Sequence, residues 1–119
     1  MRIGEYDLVE FVGKGEFGKV YRTECNKAVK LSYKDRMSIK SIRFESAMYS
    51  FVGPCKYLPT VFPLVTMKRR VAMPMALLGP CIRDEHLSDR DIRRISLNVS
   101  AALEHMHSKN VVHRDVKPD

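Results

Sequence analysis

Apolar and polar residues alternate along the first part of the chain, and then the period changes. Tyr6 to Val12 reads as one strand and Val20 to Leu31 as two more, since β-branched and aromatic residues at a period of two suit a half-buried pleated surface. Ser32 to Met37 is polar and reads as a connector. From about Ser38 to Val52 the pattern turns helical, with Ile42, Glu45, Tyr49 and Val52 on one stripe, and Gly53-Pro54 stops it. Leu64 to Met67 and Val71 to Met75 read as two short strands on either side of a basic turn. Pro74 has no N–H to give a ladder, so it is expected to mark where the second of these strands leaves the sheet. Ser88 then caps a second helix with Asp91 at its positive end, and Ile92, Ile95, Val99, Leu103 and Met106 recur at helical spacing to about Ser108. Together these elements predict an α+β fold: a five-stranded antiparallel sheet over residues 4–78 with one helix across it, because an apolar helix stripe needs a sheet face to cover.

Between the first two strands lies Gly13-Lys14-Gly15-Glu16-Phe17-Gly18-Lys19-Val20. Three glycines in G-x-G-x-x-G spacing keep Cβ bulk away from the main chain, so backbone N–H groups can close over anionic oxygens. The same spacing opens dinucleotide-binding βαβ units, but there it leads into a helix, and here it leads into the β-formers Val20, Tyr21 and Thr23. A glycine-tipped hairpin is the better reading, with a purely structural glycine turn as its alternative.

Parity sharpens the picture. Ala28 and Lys30 lie two apart and share a strand face, while Val29 and Leu31 point the other way. A two-residue turn at Asn26-Lys27 would put Tyr21 on the lysine's side. A three-residue turn at Cys25-Asn26-Lys27 pairs Glu24 with Ala28 and Arg22 with Lys30 and brings Val20 there instead, and this is the register expected. Glu45 then matters, because a carboxylate inside an apolar stripe is costly unless a cation meets it or it snorkels at the edge. Lys30 is the natural cation.

Charge changes the picture little. The 119 residues carry a formal +7, from 21 Lys and Arg against 14 Asp and Glu, which suits an anionic ligand or partner without naming one. The densest basic run, Lys68-Arg69-Arg70, has no tryptophan or interleaved aromatics near it and reads as a solvated hairpin loop, not a nucleic-acid contact. Cys25, Cys55 and Cys81 are odd in number and scattered, as reduced thiols of an intracellular protein, cytoplasmic or nuclear, would be. No apolar run approaches membrane-spanning length, so no membrane partner is expected. His105 and His107 lie two apart on a helix and face different sides, which argues against a metal pair.

The chain closes on His113-Arg114-Asp115-Val116-Lys117-Pro118-Asp119 after the long helix. This H-R-D-x-K-P run resembles the catalytic loop of eukaryotic-type protein kinases, and the glycine loop, Ala28-Val29-Lys30 strand and Glu45 helix precede it in that family's order. Lys117, two positions after Asp115, matches the serine/threonine form. The compact glycine hairpin and sparse hinge also look like kinases encoded by large DNA viruses.

The resemblance implies a small lobe over residues 4–75, a hinge and connector over 76–87, and the start of a large lobe over 88–119. It implies that Gly13, Lys14, Gly15, Glu16, Phe17 and Gly18 cover the phosphates of ATP, and that Val20 and Ala28 touch the adenine. Lys30 would bind the α- and β-phosphates and pair with Glu45, Met73 would be the gatekeeper, and Met75 would lie in the hinge. Asp115 would be the base that takes the proton of a serine or threonine hydroxyl on a protein substrate, and Lys117 would steady the phosphoryl group.

The sequence departs from the family at its end. The catalytic-loop asparagine and the D-F-G aspartate, which hold Mg²⁺ in the family, do not occur within residues 1–119. Two explanations stand: part of a full serine/threonine kinase, catalytically incomplete as given, or a short kinase-derived module that binds or decoys for a full kinase. The end inside a catalytic motif favours the first. Either way, the long helix is expected to expose apolar surface for a protein partner to cover.

Overall fold

The computed structural model describes residues 1–77 and 88–109. They form strands β1 (Arg2–Ile3), β2 (Tyr6–Lys14), β3 (Gly18–Thr23) and β4 (Lys27–Ser32), helix α1 (Arg36–Val52), strands β5 (Val65–Thr66) and β6 (Val71–Ala76), and helix α2 (Asp89–Ser108). The chain divides into two compact units, one of Met1–Phe51 with Thr60–Leu77 and one of Val52–Pro59 with Leu78–Asp119.

The first unit is an antiparallel sheet in the order β1-β2-β3-β4-β6-β5. The α+β class and the five expected strands are present. A sixth, β1, joins them: two residues in which Arg2 pairs with Asp7 and Ile3 with Tyr6, so that it covers only the start of β2. The sheet has a core on each face. One gathers Ile3, Tyr6, Val29, Leu31 and Ala72. The other gathers Ile42 of α1 with Val71 and Met73, and Phe17, Ile39 and Tyr49 pack around it. This division follows from strand alternation, since Val29 and Leu31 point to one side of β4 and Ala28 and Lys30 to the other.

The β3–β4 loop has the expected three residues and puts Val20 on Lys30's side, but it sits one position earlier than expected. Arg22 pairs with Ala28 and Val20 with Lys30, so the loop is Glu24-Cys25-Asn26. Such loops hold their last residue in the left-handed region, and Asn26 takes it with φ 59°. The earlier register gives that place to asparagine, whose side chain tolerates it, and spares Lys27. Thr23 closes the loop: its carbonyl accepts from Asn26 N–H and its Oγ1 from Lys27 N–H.

Pro74 also departs from expectation. It does not leave the sheet but lies buried within β6 opposite Val29, and the strand runs on to Ala76. Its carbonyl accepts from Phe62 N–H, so its backbone polar groups face away from β4 and towards the 60–62 segment. The missing N–H therefore costs the β4 ladder nothing.

Helix α1 begins two residues before the expected start. Asp35, read as connector, caps it: Ser38 donates its N–H and its hydroxyl to the two Asp35 carboxylate oxygens, at 2.8 Å each. These bonds hold the Asp35 carboxyl below its usual range, the backbone N–H contributing most. At the far end Gly53, with φ 77°, ends the helix in the left-handed conformation that glycine adopts freely. Lys68-Arg69-Arg70 lies in the β5–β6 loop, closed by Met67 N–H to Arg70 C=O, with Lys68 and Arg69 exposed.

In the second unit Ser88 caps α2 as expected, and Asp91, expected only to favour the positive end, also accepts from the Ser88 N–H to complete a capping box. A ring nitrogen of His105 lies 3.1 Å from the Val52 carbonyl oxygen. Along α2 only Ala102 is buried, while Ile92, Leu97 and Val99 are exposed. Cys25 and Cys55 are free thiols, and Cys81 lies outside the described residues.

Candidate functional site

Four of the sequence-predicted residues form a single row across the sheet. Gly13 of β2 stands opposite Val20 of β3, Val20 opposite Lys30 of β4, and Lys30 opposite Met73 of β6. A second row, Arg22, Ala28 and Met75, runs beside it on the same face. Val71 and Met73 on this face pack against Ile42 of α1, and Met75 joins the edge of the same cluster.

Lys30 reaches from this row to the helix. Its Nζ donates to Glu45 Oε2 at 3.0 Å, with the two side chains 27% and 35% exposed. The pair is therefore half-buried, which is wet enough to limit the desolvation cost and dry enough to keep the charges coupled. Tyr49, one turn beyond Glu45, reports the same surroundings: burial, with the Glu45 carboxylate adding, pushes its phenol above the usual range.

The glycine loop closes beside the row. Gly15 N–H donates to Gly18 C=O at 2.8 Å, which spends one of the tip's donors. Among the described residues, the N–H groups of Glu16 and Phe17 have no backbone acceptor. Adjacent backbone N–H groups without a backbone partner are able to donate to anionic oxygens. Phe17 is half-buried, its ring turned onto the Ile42–Val71–Met73 cluster.

The three glycines differ in what they permit. A Cβ on Gly13 would meet nothing within 4 Å, and one on Gly15 would make an ordinary contact. On Gly18 it would come within 2.9 Å of the Leu31 carbonyl carbon and closer still to its oxygen. Gly18 is glycine because β4 lies against it, a reason that the motif's spacing does not reveal.

Not every predicted residue gathers here. Lys14 stands opposite Lys19, which shares Leu31's face of the sheet, so both exposed lysines lie on the side away from Lys30. Glu16 is exposed at the loop tip. Asp115 and Lys117, with His113 and Arg114, lie outside the described residues. One residue that the sequence reading passed over belongs with the loop. Tyr33, in the supposed connector, donates its hydroxyl to Gly15 C=O at 3.0 Å and its N–H to Phe17 C=O at 3.1 Å. Its position three residues beyond Lys30 was the one available signal.

Among the described residues no cluster of three or more His, Cys, Asp or Glu side chains is placed to hold a metal ion. None of their helices is long and apolar enough to cross a membrane.

Comparison with known proteins points the same way. The family model described as "Protein kinase domain" matches residues 6–119. The serine/threonine-protein kinase SBK1 of Danio rerio is 27% identical over 126 residues, an alignment covering 96% of this chain and 33% of that protein. The chain thus spans about a third of the length of that relative. A sheet that carries a glycine hairpin and seats a lysine against a helix glutamate, matched over nearly its whole length by that family model, places this chain in the protein kinase family, as the N-terminal part of its domain.

Proposed function

We propose that these residues form the nucleotide-gripping part of a kinase that transfers the γ-phosphoryl group of ATP to serine or threonine hydroxyls of proteins. The observation that carries this reading is the Lys30–Glu45 ion pair, its lysine set in one sheet row with Val20, Met73 and Gly13, the first glycine of the loop. Lys30 neutralises charge on the α- and β-phosphates, Glu45 fixes where its ammonium sits, and Glu16 and Phe17 donate to phosphate oxygens. Val20 and Ala28 present an apolar surface to the adenine, Met73 closes its inner end, and the Met75 backbone meets its edge. In the transfer, the substrate hydroxyl oxygen bonds to the γ-phosphorus as the bridge to the β-phosphate breaks. The hydroxyl proton passes to the Asp115 carboxylate, Lys117 steadies the moving group, and ADP leaves.

Mg²⁺ supplies charge neutralisation between the phosphates in this family. Among the described residues no carboxylate cluster fits it. Since the family's metal-holding side chains do not occur within residues 1–119, these residues alone are expected to bind nucleotide weakly and to transfer no phosphate. The partners are ATP, a protein substrate inside the cell, in cytoplasm or nucleus, and a protein surface that covers Ile92, Leu97 and Val99 of α2. That exposed apolar set also favours a second reading, a kinase-derived module that binds a full kinase without catalysis.

The test measures nucleotide binding and phosphotransfer by residues 1–119, with Lys30→Ala and Asp115→Ala beside the parent. The expected result is weak ATP binding that Lys30→Ala reduces and Asp115→Ala leaves unchanged, with no transfer. Turnover in the parent that both substitutions abolish would overturn the claim of incompleteness, and absence of any nucleotide binding would leave the binding-module reading standing.

A further inference from the structure

Resting on the nucleotide-binding reading above, we propose that Tyr33 is a positioning residue for the glycine loop, its hydroxyl fixing the peptide plane that aims the Glu16 N–H at phosphate. Tyr33 follows β4 directly and grips two carbonyls of the loop. Its N–H holds Phe17 C=O at 3.1 Å, and its Oη donates to Gly15 C=O at 3.0 Å.

The geometry of the peptide unit turns this grip into a direction. In a trans peptide the C=O of one residue and the N–H of the next point opposite ways. Holding the Gly15 carbonyl towards Tyr33 therefore turns the Glu16 N–H away from it, where it meets no backbone acceptor among the described residues. Gly15 has no Cβ to restrict rotation of that plane, so without the hydroxyl the donor samples many directions. The other tip amides are set by different means. Gly15 N–H is spent on Gly18 C=O, and Gly18 itself is pressed against Leu31 and Ser32. Among the tip's hydrogen bonds, the one that holds the Gly15–Glu16 plane comes from a side chain, that of Tyr33, while the others are backbone to backbone.

The bond lies near the surface, so it competes with water, and its loss should change phosphate affinity by the worth of one ordinary hydrogen bond, about fivefold. The test is a titration of the ¹⁵N-labelled chain, parent and Tyr33→Phe, with ATP and separately with adenosine, followed by the backbone amide signals. In the parent, ATP should move the Glu16 and Phe17 signals and adenosine should not. In Tyr33→Phe the ATP Kd should rise about fivefold while adenosine binding and the unfolding midpoint stay as in the parent. Equal ATP binding by parent and variant overturns the assignment, as does an equal loss for ATP and adenosine, which would mark Tyr33 as a general support of the fold. A parent that binds no nucleotide at all overturns the underlying reading and the assignment together, a result distinguishable from the other two.

Discussion

Gly18 lies so close under the Leu31 carbonyl that no side chain fits between them. The contact is backbone on backbone, and β4 cannot withdraw without giving up its pairs with β3 on one side and β6 on the other. Gly18→Ala is therefore expected to destabilise the chain by about 2 kcal/mol, in the range of an overpacked core. Gly13→Ala meets open space and should leave stability within about 0.5 kcal/mol. Urea denaturation of both variants checks the contrast, and equal losses would refute it.

The Lys30–Glu45 pair should matter more to ligand than to fold. Both side chains keep about a quarter to a third of their exposure, so their coupling in a double-mutant cycle of Lys30→Met and Glu45→Gln should be about 1 kcal/mol or less. ATP affinity should fall severalfold in Glu45→Ala, because the Lys30 ammonium loses the group that fixes its place. Calorimetric unfolding gives the first quantity and nucleotide titration the second.

Asp35 and Asp91 give the helices a dependence on acid. Ser38 holds the Asp35 carboxyl below its usual range, and Ser88, through its hydroxyl and then its amide, does the same for Asp91. Each group binds a proton less readily folded than unfolded. The stability it contributes is thus complete above the unfolded value of about 4 and is lost as pH falls through the folded one. The thermal midpoint should drop as pH falls below about 4. Asp35→Asn, which keeps a capping oxygen, should flatten part of that drop, and Asp35→Ala should lower the midpoint by a few degrees already at neutral pH.

Asn26 tests the hairpin register. With φ 59° it should accept glycine at almost no cost, whereas Asn26→Val should cost about 1–2 kcal/mol because a β-branched side chain resists the left-handed region. Lys27→Val, at the neighbouring position in β4, should show no such penalty.

How far the sequence revealed this arrangement depends on what each feature requires. The Lys30–Glu45 pairing was legible because two periods converge on it: alternation put the lysine on a known strand face, and helical spacing put the glutamate inside the facing stripe. The hairpin was legible in length and parity but not in position, since Asn26 fits more than one slot of a three-residue loop until the competing claim of Lys27 is weighed. Pro74 misled because a missing N–H breaks a ladder only when it faces one, and which neighbour it faces is a property of the assembled sheet. Asp35 and Tyr33 were missed for different reasons. Tyr33 works on a partner that only the fold brings to it, whereas Asp35 accepts from Ser38 three residues on, inside a polar stretch that conceals the helix start. The two-residue β1 is too short to show any period.

Strand β4 separates two incompatible worlds by one residue. If it slid a single position against β3 and β6, Lys30 would enter the cluster of Ile3, Tyr6 and Ala72, and Val29 and Leu31 would turn towards Glu45. An ammonium group in that apolar cluster, with no anion to meet it, would raise the energy of the slipped sheet far above the aligned one. Folding thus proofreads chemistry: a molecule that has reached its stable sheet has, by the same selection, delivered its lysine to the glutamate.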